Sequence, residues 1–336
     1  MINQNISLKD YNTFGIEASA KHFARFSSIK QLAELFLDKR FQEPKLIIGG
    51  GSNLLLTKNF NGLVLKNEII GKEIVLENDY EIILKVGAGE IWHNFVLFCV
   101  ESNYGGIENM SLIPGSVGAA PMQNIGAYGV ELKSVFVSLE AFHIETGKVH
   151  SFDKEKCKFG YRDSIFKNSH KDQYIITSVT FRLTKKPTFN TSYGAINQEL
   201  ERMGVTELSV KSISDAVINI RRTKLPDPAK IGNSGSFFKN PVLTNKVFAN
   251  IKQNHPEIAS YPNGENHTKV AAGWLIEQAG WKGKTIGNYG VHKNQALVLV
   301  NYGGATGSEI YELSQKIIDS VKAKFGVELQ REVNII

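Results

Sequence analysis

The segment from Ser111 to Gly129 constrains the fold more than any other part of this 336-residue chain. It contains four glycines and two prolines, and it has no charged side chain. Glycine permits tight turns, and small side chains let backbone N–H groups approach a ligand closely. A flexible linker would be more polar and would lack Leu112, Val117 and Ile125. We therefore expect a loop laid against a flat or phosphorylated ligand; the alternative is a glycine-rich structural loop.

A second glycine cluster lies earlier in the chain. Residues Lys45–Ile48 are typical of a short buried strand, and the strand leads directly into Gly49-Gly50-Gly51-Ser52-Asn53. The cluster has neither the Lys-Ser/Thr ending of a P-loop nor the GxGxxG spacing of a Rossmann turn. By itself it fits a plain turn as well as an anion-binding turn. Together, the two clusters predict a dinucleotide held between two glycine-rich loops.

Length and composition indicate a globular protein of two or three domains. Hydrophobic residues make up 42% and charged residues 21%, no apolar run approaches the roughly 20 residues that span a bilayer, and no signal peptide is evident. We expect a cytoplasmic protein. The net charge of +6 slightly favours anionic small ligands, but the basic residues are too scattered for a nucleic-acid surface. Cys99, Cys157 and the scattered histidines lack metal-site spacing, so we predict no metal. Cys99 lies in the apolar run Phe95–Val100, so we predict a buried thiol.

The first 65 or so residues have an α/β pattern. Ser28 and Gln31 predict a capping box for a helix that buries Leu32, Leu35 and Phe36. From about residue 66 the pattern changes to strands, with a hairpin turn at residues 145–148. The predicted strands are Leu46–Ile48, Leu63–Leu65, Glu73–Leu76, Glu81–Val86, Val135–Ile144 and Tyr174–Leu183.

The rest of the chain alternates helices and strands. Ser212 predicts the cap of a helix that runs to Arg222 and ends before Leu225-Pro226, where we place a domain boundary. Further on, the pattern predicts a helix at Ala271–Gln278, a buried strand at Ala296–Asn301, a capping box of Thr306 and Glu309 that begins a long helix, and a strand-like end at Val327–Ile336.

Three polar residues are candidates for chemistry. Ser236 follows a glycine and precedes Phe237-Phe238, so it could donate a proton in a dry environment, although a turn serine beside core aromatics is the simpler interpretation. Arg162 could clamp a carboxylate or phosphate, although a surface ion pair with Asp163 is more common for such a residue. Glu332 lies in the apolar terminal segment, where the pattern alone favours a solvated strand face.

These segments, taken in order, resemble one enzyme family. They are Asn12–Gly15, both glycine clusters, Tyr161–Ser164, Gly235–Pro241, Val291–Leu297 and Glu332-Val333. The chain resembles the UDP-N-acetylenolpyruvoylglucosamine reductases, flavoenzymes that make UDP-N-acetylmuramate for bacterial peptidoglycan. The resemblance covers nearly the whole chain.

The resemblance implies an α+β fold. It implies an FAD-binding unit of the vanillyl-alcohol-oxidase (PCMH) type, built from two α+β subdomains at residues 1–65 and 66–222. A C-terminal α+β substrate-binding domain would follow at residues 229–326, and a strand at residues 327–336 would return to the first subdomain.

The resemblance also implies a set of site residues. Ser236, Arg162 and Glu332 correspond to the catalytic residues of the family. Tyr193 matches a longer subclass, in which such a tyrosine closes over the substrate, and Lys224, Asn240, Tyr261 and Gln295 fall where that subclass contacts the UDP-sugar. The implied FAD-binding residues are Gly49, Gly50, Gly51, Ser52, Asn53, Leu54, Pro114, Gly115, Ser116, Gly118, Ala119, Gln123, Asn124, Gly126, Ala127 and Tyr128.

The implied reaction has two halves. NADPH would reduce FAD and leave, and UDP-N-acetylglucosamine enolpyruvate would take its place and receive hydride from flavin N5 at the methylene carbon. Arg162 would stabilise the developing charge, and Ser236 would protonate the adjacent carbon. Glu332 near the substrate carboxylate would repel it unless protonated or shared with a cation, so we predict a raised pKa for Glu332. We expect a monomer without nucleic-acid or membrane partners.

Two departures and two alternatives accompany this interpretation. Gln330 stands where an acidic residue is expected, which bears on the pKa of Glu332, and Ser234 stands where alanine is more usual. One alternative is an FAD-dependent sugar or alcohol oxidase on the same scaffold, which would not need Gly235–Pro241 or Tyr193. The other is a non-catalytic nucleotide-binding protein, which would leave Ser236, Arg162 and Glu332 without a reason to occur together.

Overall fold

A computed structural model describes residues 1–192 and 195–336 of the chain. It consists of two compact units. The first unit contains Met1–Ile6, Ala20–Gly51 and Phe60–Arg222, and the second contains Ser7–Ser19, Ser52–Asn59 and Thr223–Ile336. The last division between the two units falls after Arg222, and the domain boundary that we placed at Leu225-Pro226 stays a prediction. The sequence did not indicate that residues 7–19 and 52–59 belong with the C-terminal part.

The regular elements are distributed along the whole described chain. The α-helices are α1 (Ile29–Phe36), α2 (Trp92–Glu101), α3 (Lys154–Cys157), α4 (Ile196–Arg202), α5 (Val210–Lys224), α6 (Asn245–Asn254), α7 (Ala272–Gln278) and α8 (Gly307–Phe325). The strands are β1 (Ile2–Ser7), β2 (Ser19–Phe26), β3 (Lys45–Ile48), β4 (Leu54–Leu55), β5 (Phe60–Asn67), β6 (Lys72–Glu77), β7 (Glu81–Gly87), β8 (Gly126–Ala127), β9 (Val130–Glu131), β10 (Phe136–His143), β11 (Val149–Asp153), β12 (Tyr174–Thr184), β13 (Gly232–Ser236), β14 (Val242–Thr244), β15 (Ser260–Pro262), β16 (His267–Val270), β17 (Thr285–Ile286), β18 (Tyr289–Val291), β19 (Val298–Asn301) and β20 (Asn334–Ile335). None of these helices has the length and hydrophobicity needed to span a bilayer.

In the first unit, strand β3 of a four-stranded sheet leads directly into the glycine cluster that begins at Gly49. Its order is β1-β2-β5-β3, and β5 pairs in parallel with both β2 and β3. Helix α1 begins as predicted at Ser28, whose side chain accepts from the Gln31 N–H at 3.2 Å. The predicted capping box is wrong in one respect, because Gln31 Oε1 accepts from the Ser27 N–H at 2.8 Å instead of closing on Ser28. Leu32 and Leu35 are buried, and Phe36 is half-buried.

The second sheet of this unit is antiparallel, with the order β11-β10-β12-β7-β6. Its core contains Trp92 and Phe95 of α2, packed edge-on or tilted against Phe181 of β12. Burying each large apolar side chain contributes roughly 1.5–3 kcal/mol, so this cluster anchors α2 firmly. Cys99 of α2 is fully buried, as predicted, and burial raises the pKa of its thiol well above the usual range.

The second unit contains the sheets β13-β19-β18-β17 and β14-β16-β15 and the two-stranded pair β20-β4. The predicted capping box of Thr306 and Glu309 is confirmed and begins α8. The predicted strand over residues 327–336 is too long: the structure has only β20, which pairs in parallel with β4. Between Val327 and Arg331 the chain makes single contacts, such as the bridge between Arg331 and Phe238, instead of a continuous ladder.

The predicted start of α5 also needs correction. The helix begins at Val210, and Ser212 lies inside its first turn. Ser209 and Ser212 exchange hydrogen bonds, with Ser209 Oγ accepting from the Ser212 N–H at 3.0 Å and Ser212 Oγ accepting from the Ser209 N–H at 2.8 Å. Ser209 therefore has the capping position. The helix ends at Lys224, before Leu225-Pro226, as predicted.

Candidate active site

The two glycine clusters pack directly against each other in the first unit. A Cβ atom on Gly49 would lie 2.0 Å from Ser116 Oγ and 2.9 Å from Ser116 Cβ, and one on Gly50 would lie 2.9 Å from Gly115 Cα. Gly51 and Gly115 have φ values of +63° and +115°, which other residues rarely adopt. Glycine is therefore required in both loops, and the structure brings together the two segments that we predicted to share one ligand.

Two basic side chains hold the start of the long loop. The Leu112 backbone is left-handed, with φ +59°. His93 Nδ1 accepts from the Leu112 N–H at 2.9 Å, and Arg221 Nε donates to the Leu112 carbonyl at 3.3 Å. Burial lowers the pKa of His93, as do Arg222 and Arg221 nearby. The imidazole therefore stays neutral, as an acceptor must.

Arg221 makes a second contact with the long loop. It also bonds to Tyr128, which has φ +48°, and burial lowers the pKa of the guanidinium. Burial likewise raises the pKa of the Tyr128 phenol. Arg221 lies inside the helix that we predicted to run to Arg222, and nothing in the sequence pattern pointed to it as a site residue. A desolvated guanidinium held by a carbonyl and a phenol, beside glycine-rich backbone, suits an anionic ligand.

The loop with Arg162 is tied to the middle of the long loop. Arg162 has φ +51°, and its Nη2 donates to the Gly126 carbonyl at 2.7 Å. Asn124 Nδ2 donates to the Gly160 carbonyl at 3.0 Å, and Ser164 Oγ donates to the Met122 carbonyl at 2.7 Å. Asn124 is fully buried with φ +44°, so its side chain fixes both loops. A surface ion pair with Asp163, the alternative that we considered for Arg162, would not explain these hydrogen bonds.

Other predicted cofactor residues lie on the same segment. Gly118 is pressed against Ala88, since an added Cβ would lie 2.5 Å from the Ala88 Cβ. Gln123 Oε1 accepts from Lys167 Nζ at 3.3 Å. Pro114 precedes the glycine turn, Ala119 lies in the 3-10 helix Val117–Gln123, and Ala127 lies in β8. No sequence pattern pointed to Asn109, which also bonds to this segment. It is fully buried and donates to the Tyr128 carbonyl at 3.0 Å.

The second unit brings together Asn53, Glu332 and the segment that follows Ser236. The Glu332 N–H donates to the Phe237 carbonyl at 2.8 Å, and Asn53 Nδ2 donates to the Glu332 carbonyl at 3.4 Å. The Asn334 N–H donates to the Asn53 carbonyl at 3.1 Å. Ser52, Asn53 and Leu54 thus belong to this unit, whereas Gly49–Gly51 belong to the first. The half-buried Glu332 is not on a simple solvated strand face.

Ser236 is exposed at the end of β13, whereas Phe237 and Phe238 are almost fully buried. The Phe237 ring packs edge-on against Phe14 at 6.2 Å, so the motif Asn12–Gly15 supports this segment. Gly232 lies against the same motif, because an added Cβ would lie 2.2 Å from the Phe14 carbonyl oxygen. The aromatic backing predicted for the serine is present, but the predicted dry environment is not, because Ser236 itself is exposed within the described ranges.

The predicted substrate residues of this unit fall into two groups. Asn240 Oδ1 accepts from the Ala272 N–H at 2.9 Å, and Gln295 Oε1 would lie 3.1 Å from a Cβ on Gly273, so both contact the start of α7. Lys224 is exposed at the end of α5, and Tyr261 is partly exposed in β15, opposite Lys269. Tyr193 lies outside the described residues.

The arrangement in the first unit fits the predicted dinucleotide. The paired glycine turns leave no room for side chains where they meet, and Arg221 supplies a half-buried, desolvated cation at the same loop. FAD would be held by backbone of Gly49–Gly51 and Gly115-Ser116, with Arg221 on an anionic group of the cofactor. No cluster of metal-binding side chains occurs in the ranges 1–192 and 195–336.

Two protein-family models match this chain. Residues 20–153 match a family described as an FAD binding domain. Residues 227–336 match the C-terminal domain of UDP-N-acetylenolpyruvoylglucosamine reductase.

Curated relatives match over essentially the whole chain. A protein of Flavobacterium johnsoniae is 53% identical over 336 residues, covering 100% of this chain and 99% of the relative. A protein of Amoebophilus asiaticus is 52% identical with the same coverage. A Pseudomonas putida protein is 47% identical, covering 99% of this chain and 98% of the relative. Each is named UDP-N-acetylenolpyruvoylglucosamine reductase.

Solved structures agree on the fold. UDP-N-acetylenolpyruvylglucosamine reductase from Thermus caldophilus superposes with a TM-score of 0.69 at 22% identity, covering 100% of this chain and 99% of that one. A 4-ethylphenol oxidase from Gulosibacter chungangensis superposes with a TM-score of 0.52 at 12% identity, covering 97% and 84%. Together with the FAD binding domain, these structures confirm the predicted α+β fold with an FAD-binding unit of the vanillyl-alcohol-oxidase type.

Proposed function

The chain belongs to the UDP-N-acetylenolpyruvoylglucosamine reductase family, and we propose that it reduces UDP-N-acetylglucosamine enolpyruvate to UDP-N-acetylmuramate with NADPH. The full-length similarity to curated reductases is the observation that supports this reaction most strongly. The chain is an oxidoreductase and a flavoprotein. The product would enter peptidoglycan synthesis in the cytoplasm, and we propose that the enzyme acts as a monomer.

When bound, FAD supplies the hydride carrier between the nicotinamide and the enolpyruvyl group. The substrate's carbon–carbon double bond takes up one hydride and one proton in total. An enol ether is electron-rich and resists hydride, but the attached carboxylate can accept the charge that develops on the neighbouring carbon. The residues of the chain therefore have two tasks: to stabilise that charge and to deliver the proton.

Arg162 would stabilise the developing charge. Its guanidinium is aimed by the bond to Gly126 and by the left-handed turn at Arg162 itself. A pre-positioned cation is worth more than a mobile one, because no reorganisation is required during the reaction. The strain of a non-glycine residue at φ +51° is of the kind that clusters at functional sites.

Ser236 would deliver the proton to the carbon next to the methylene group. Ser236 is exposed, and the adjoining Phe237 and Phe238 are almost fully buried, which anchors the backbone from which the hydroxyl projects. Glu332 would act beside it, since its backbone is bonded to Phe237, the next residue along. We propose that Glu332 lies close to the substrate carboxylate, and its raised pKa stays a prediction. Asn240 and Gln295, with Lys224, Tyr261 and Tyr193, would bind the UDP-sugar.

The variant Ser236→Ala tests the proton donor separately from the rest of the reaction. Flavin reduction by NADPH should proceed at the normal rate, whereas reoxidation by the enolpyruvyl substrate should slow by about 10²-fold or more. Both rates are measured by stopped-flow absorbance under anaerobic conditions. Ser308→Ala, an exposed serine in the same unit, is the control and should leave both rates unchanged. Normal reoxidation of Ser236→Ala would remove Ser236 from the mechanism.

A further inference from the structure

Ser236 owes its outward direction to an irregularity in β13. Asn233 pairs with Val300 of β19, but Ser236 pairs with Val298. Three steps along β13 therefore correspond to two along β19, so Ser234 and Gly235 form a bulge. Gly235 has φ +70°. A bulge re-aims the side chains that follow it, and here Ser236 becomes exposed while Phe237 turns into the core.

The Asn233 side chain holds this bulge in place. It is 2% exposed, and all its polar atoms are occupied. Asn233 Oδ1 accepts from the Gly235 N–H at 2.9 Å, which closes the bulge. Asn233 Nδ2 donates to the Ile231 carbonyl at 2.8 Å and to the Pro226 carbonyl at 3.2 Å.

The backbone of Asn233 is also held by a hydrogen bond of its own. Its N–H donates to the Thr13 carbonyl at 3.0 Å, beside the contact between Gly232 and Phe14. The Oδ1 atom therefore belongs to a residue that cannot shift easily. The hydrogen bond to Gly235 transmits that rigidity to the two residues before Ser236.

We propose that Asn233 is a positioning residue for proton delivery, because it fixes the bulge that aims the Ser236 hydroxyl. The inference rests on the proposed role of Ser236 as the donor. A proton donor must lie within hydrogen-bond reach of the carbon it protonates, and a displacement of about 1 Å can cost about 10²-fold in rate. Asn233 contributes no proton and contacts no substrate in this proposal; it acts through Gly235.

The sharpest test changes the bulge without removing any packing. In Gly235→Ala, nothing lies within 4 Å of the added methyl group, so only the left-handed backbone is disfavoured. Gly326→Ala is the matched control, because Gly326 has φ +68°, has equally open space, and ends α8 in the same unit. Both variants should fold, and both should bear a similar backbone penalty.

A second pair of variants tests the side chain itself. Asn233→Ala removes the bond to Gly235. Asn301→Ala is its control, because Asn301 is a buried asparagine on the neighbouring strand whose Nδ2 donates to the Phe14 carbonyl at 2.8 Å. In Asn233→Asp, one carboxyl oxygen can still accept from the Gly235 N–H, and the other can donate to the Ile231 carbonyl in place of Nδ2 when the carboxyl is protonated. That variant should therefore recover part of the lost rate as the pH is lowered.

The readout is the rate of each half-reaction, measured by stopped-flow with NADPH and then with UDP-N-acetylglucosamine enolpyruvate, in H₂O and D₂O. Gly235→Ala and Asn233→Ala should reduce flavin within twofold of the normal rate but slow reoxidation by about tenfold or more. The solvent isotope effect on reoxidation should rise in both, since proton delivery becomes limiting. The two controls should show neither change.

Two outcomes would overturn the inference, and they differ from failure of the proposed function. If Gly235→Ala and Asn233→Ala slow reoxidation no more than their controls, Asn233 has only a structural role. If both half-reactions slow equally, the variants disturb the fold and not the donor. Normal reoxidation of Ser236→Ala would instead refute the donor role of Ser236, on which the inference depends.

Discussion

The contact between Gly49 and Ser116 allows a quantitative test of the FAD-binding cradle. In Gly49→Ala, the new Cβ would lie 2.0 Å from Ser116 Oγ. Rotating the serine side chain cannot relieve the clash, because Ser116 Cβ would still lie 2.9 Å away. The two loops must therefore separate. Overpacking of this kind costs about 1–3 kcal/mol.

If FAD binds only when both loops are in their native positions, the free energy of separating the loops is lost from the binding of FAD. At about 1.4 kcal/mol per tenfold change, the dissociation constant for FAD should rise by about 5- to 140-fold in Gly49→Ala. In a Ser116→Gly background the same change should cost almost nothing, because the nearest remaining atom is the residue 116 backbone nitrogen at 4.0 Å. The coupling energy of the cycle should therefore be about 1–3 kcal/mol.

The assay is titration of FAD into apoprotein, followed by quenching of flavin fluorescence, for the wild type, both single variants and the double variant. Gly62→Ala is a useful control. Its Cβ would lie 2.2 Å from the Pro44 carbonyl oxygen, at the far end of β5 from the cradle, so it should lower stability without changing FAD affinity. Equal losses for Gly49→Ala in both backgrounds would show that the loops do not meet in the FAD-binding state.

Further predictions concern His93, Ser234 and Arg221. Burial lowers the folded-state pKa of His93, so its hydrogen bond to Leu112 is intact above about pH 6.5 and is lost as the pH falls through the folded-state pKa. The affinity for FAD should fall over the same pH range. In His93→Asn, the affinity for FAD should depend less on pH. Ser234 Oγ is buried and has no hydrogen-bond partner within the described ranges, so Ser234→Ala should raise the free energy of unfolding by about 1 kcal/mol in urea titrations; a loss would reveal an unseen partner. Arg221→Met should weaken FAD binding by about 1.5–3 kcal/mol in calorimetry, whereas exposed Arg222→Met should not.

Local features of the sequence predicted local structure well. The glycine clusters indicated where backbone had to approach backbone, and the structure brings Gly49 and Gly50 against Ser116 and Gly115. The capping box at Thr306 was also predictable, because its hydrogen bonds form within one helical turn. The predicted start of α5 was wrong because several serines lie close together, and Ser209, not Ser212, caps the helix.

Contacts between residues far apart in the chain could not be predicted from local sequence patterns. Glu332 contacts Asn53 across a separation of 279 residues, and nothing in the local alternation of residues 329–335 indicates that partner. Its site was inferred only from the family resemblance. Local patterns also could not assign residues 7–19 and 52–59 to the second unit. That assignment depends on long-range contacts, such as the pairing of β4 with β20.

Residues that act through backbone geometry were missed for another reason. Asn233 and Arg221 are significant because they hold Gly235 and Leu112, whose left-handed backbone is visible only in the structure. A glycine such as Gly235 hints at this conformation. Leucine at position 112 gives no such hint, because it rarely adopts a positive φ.

The measurement that tests the central claim most directly is the visible spectrum of the purified protein during one anaerobic turnover. One equivalent of NADPH is added first, followed by UDP-N-acetylglucosamine enolpyruvate. We predict a flavin absorbance that bleaches with NADPH and returns with the enolpyruvyl sugar. A spectrum that bleaches but returns only when oxygen is admitted would contradict the proposed reaction and favour an oxidase.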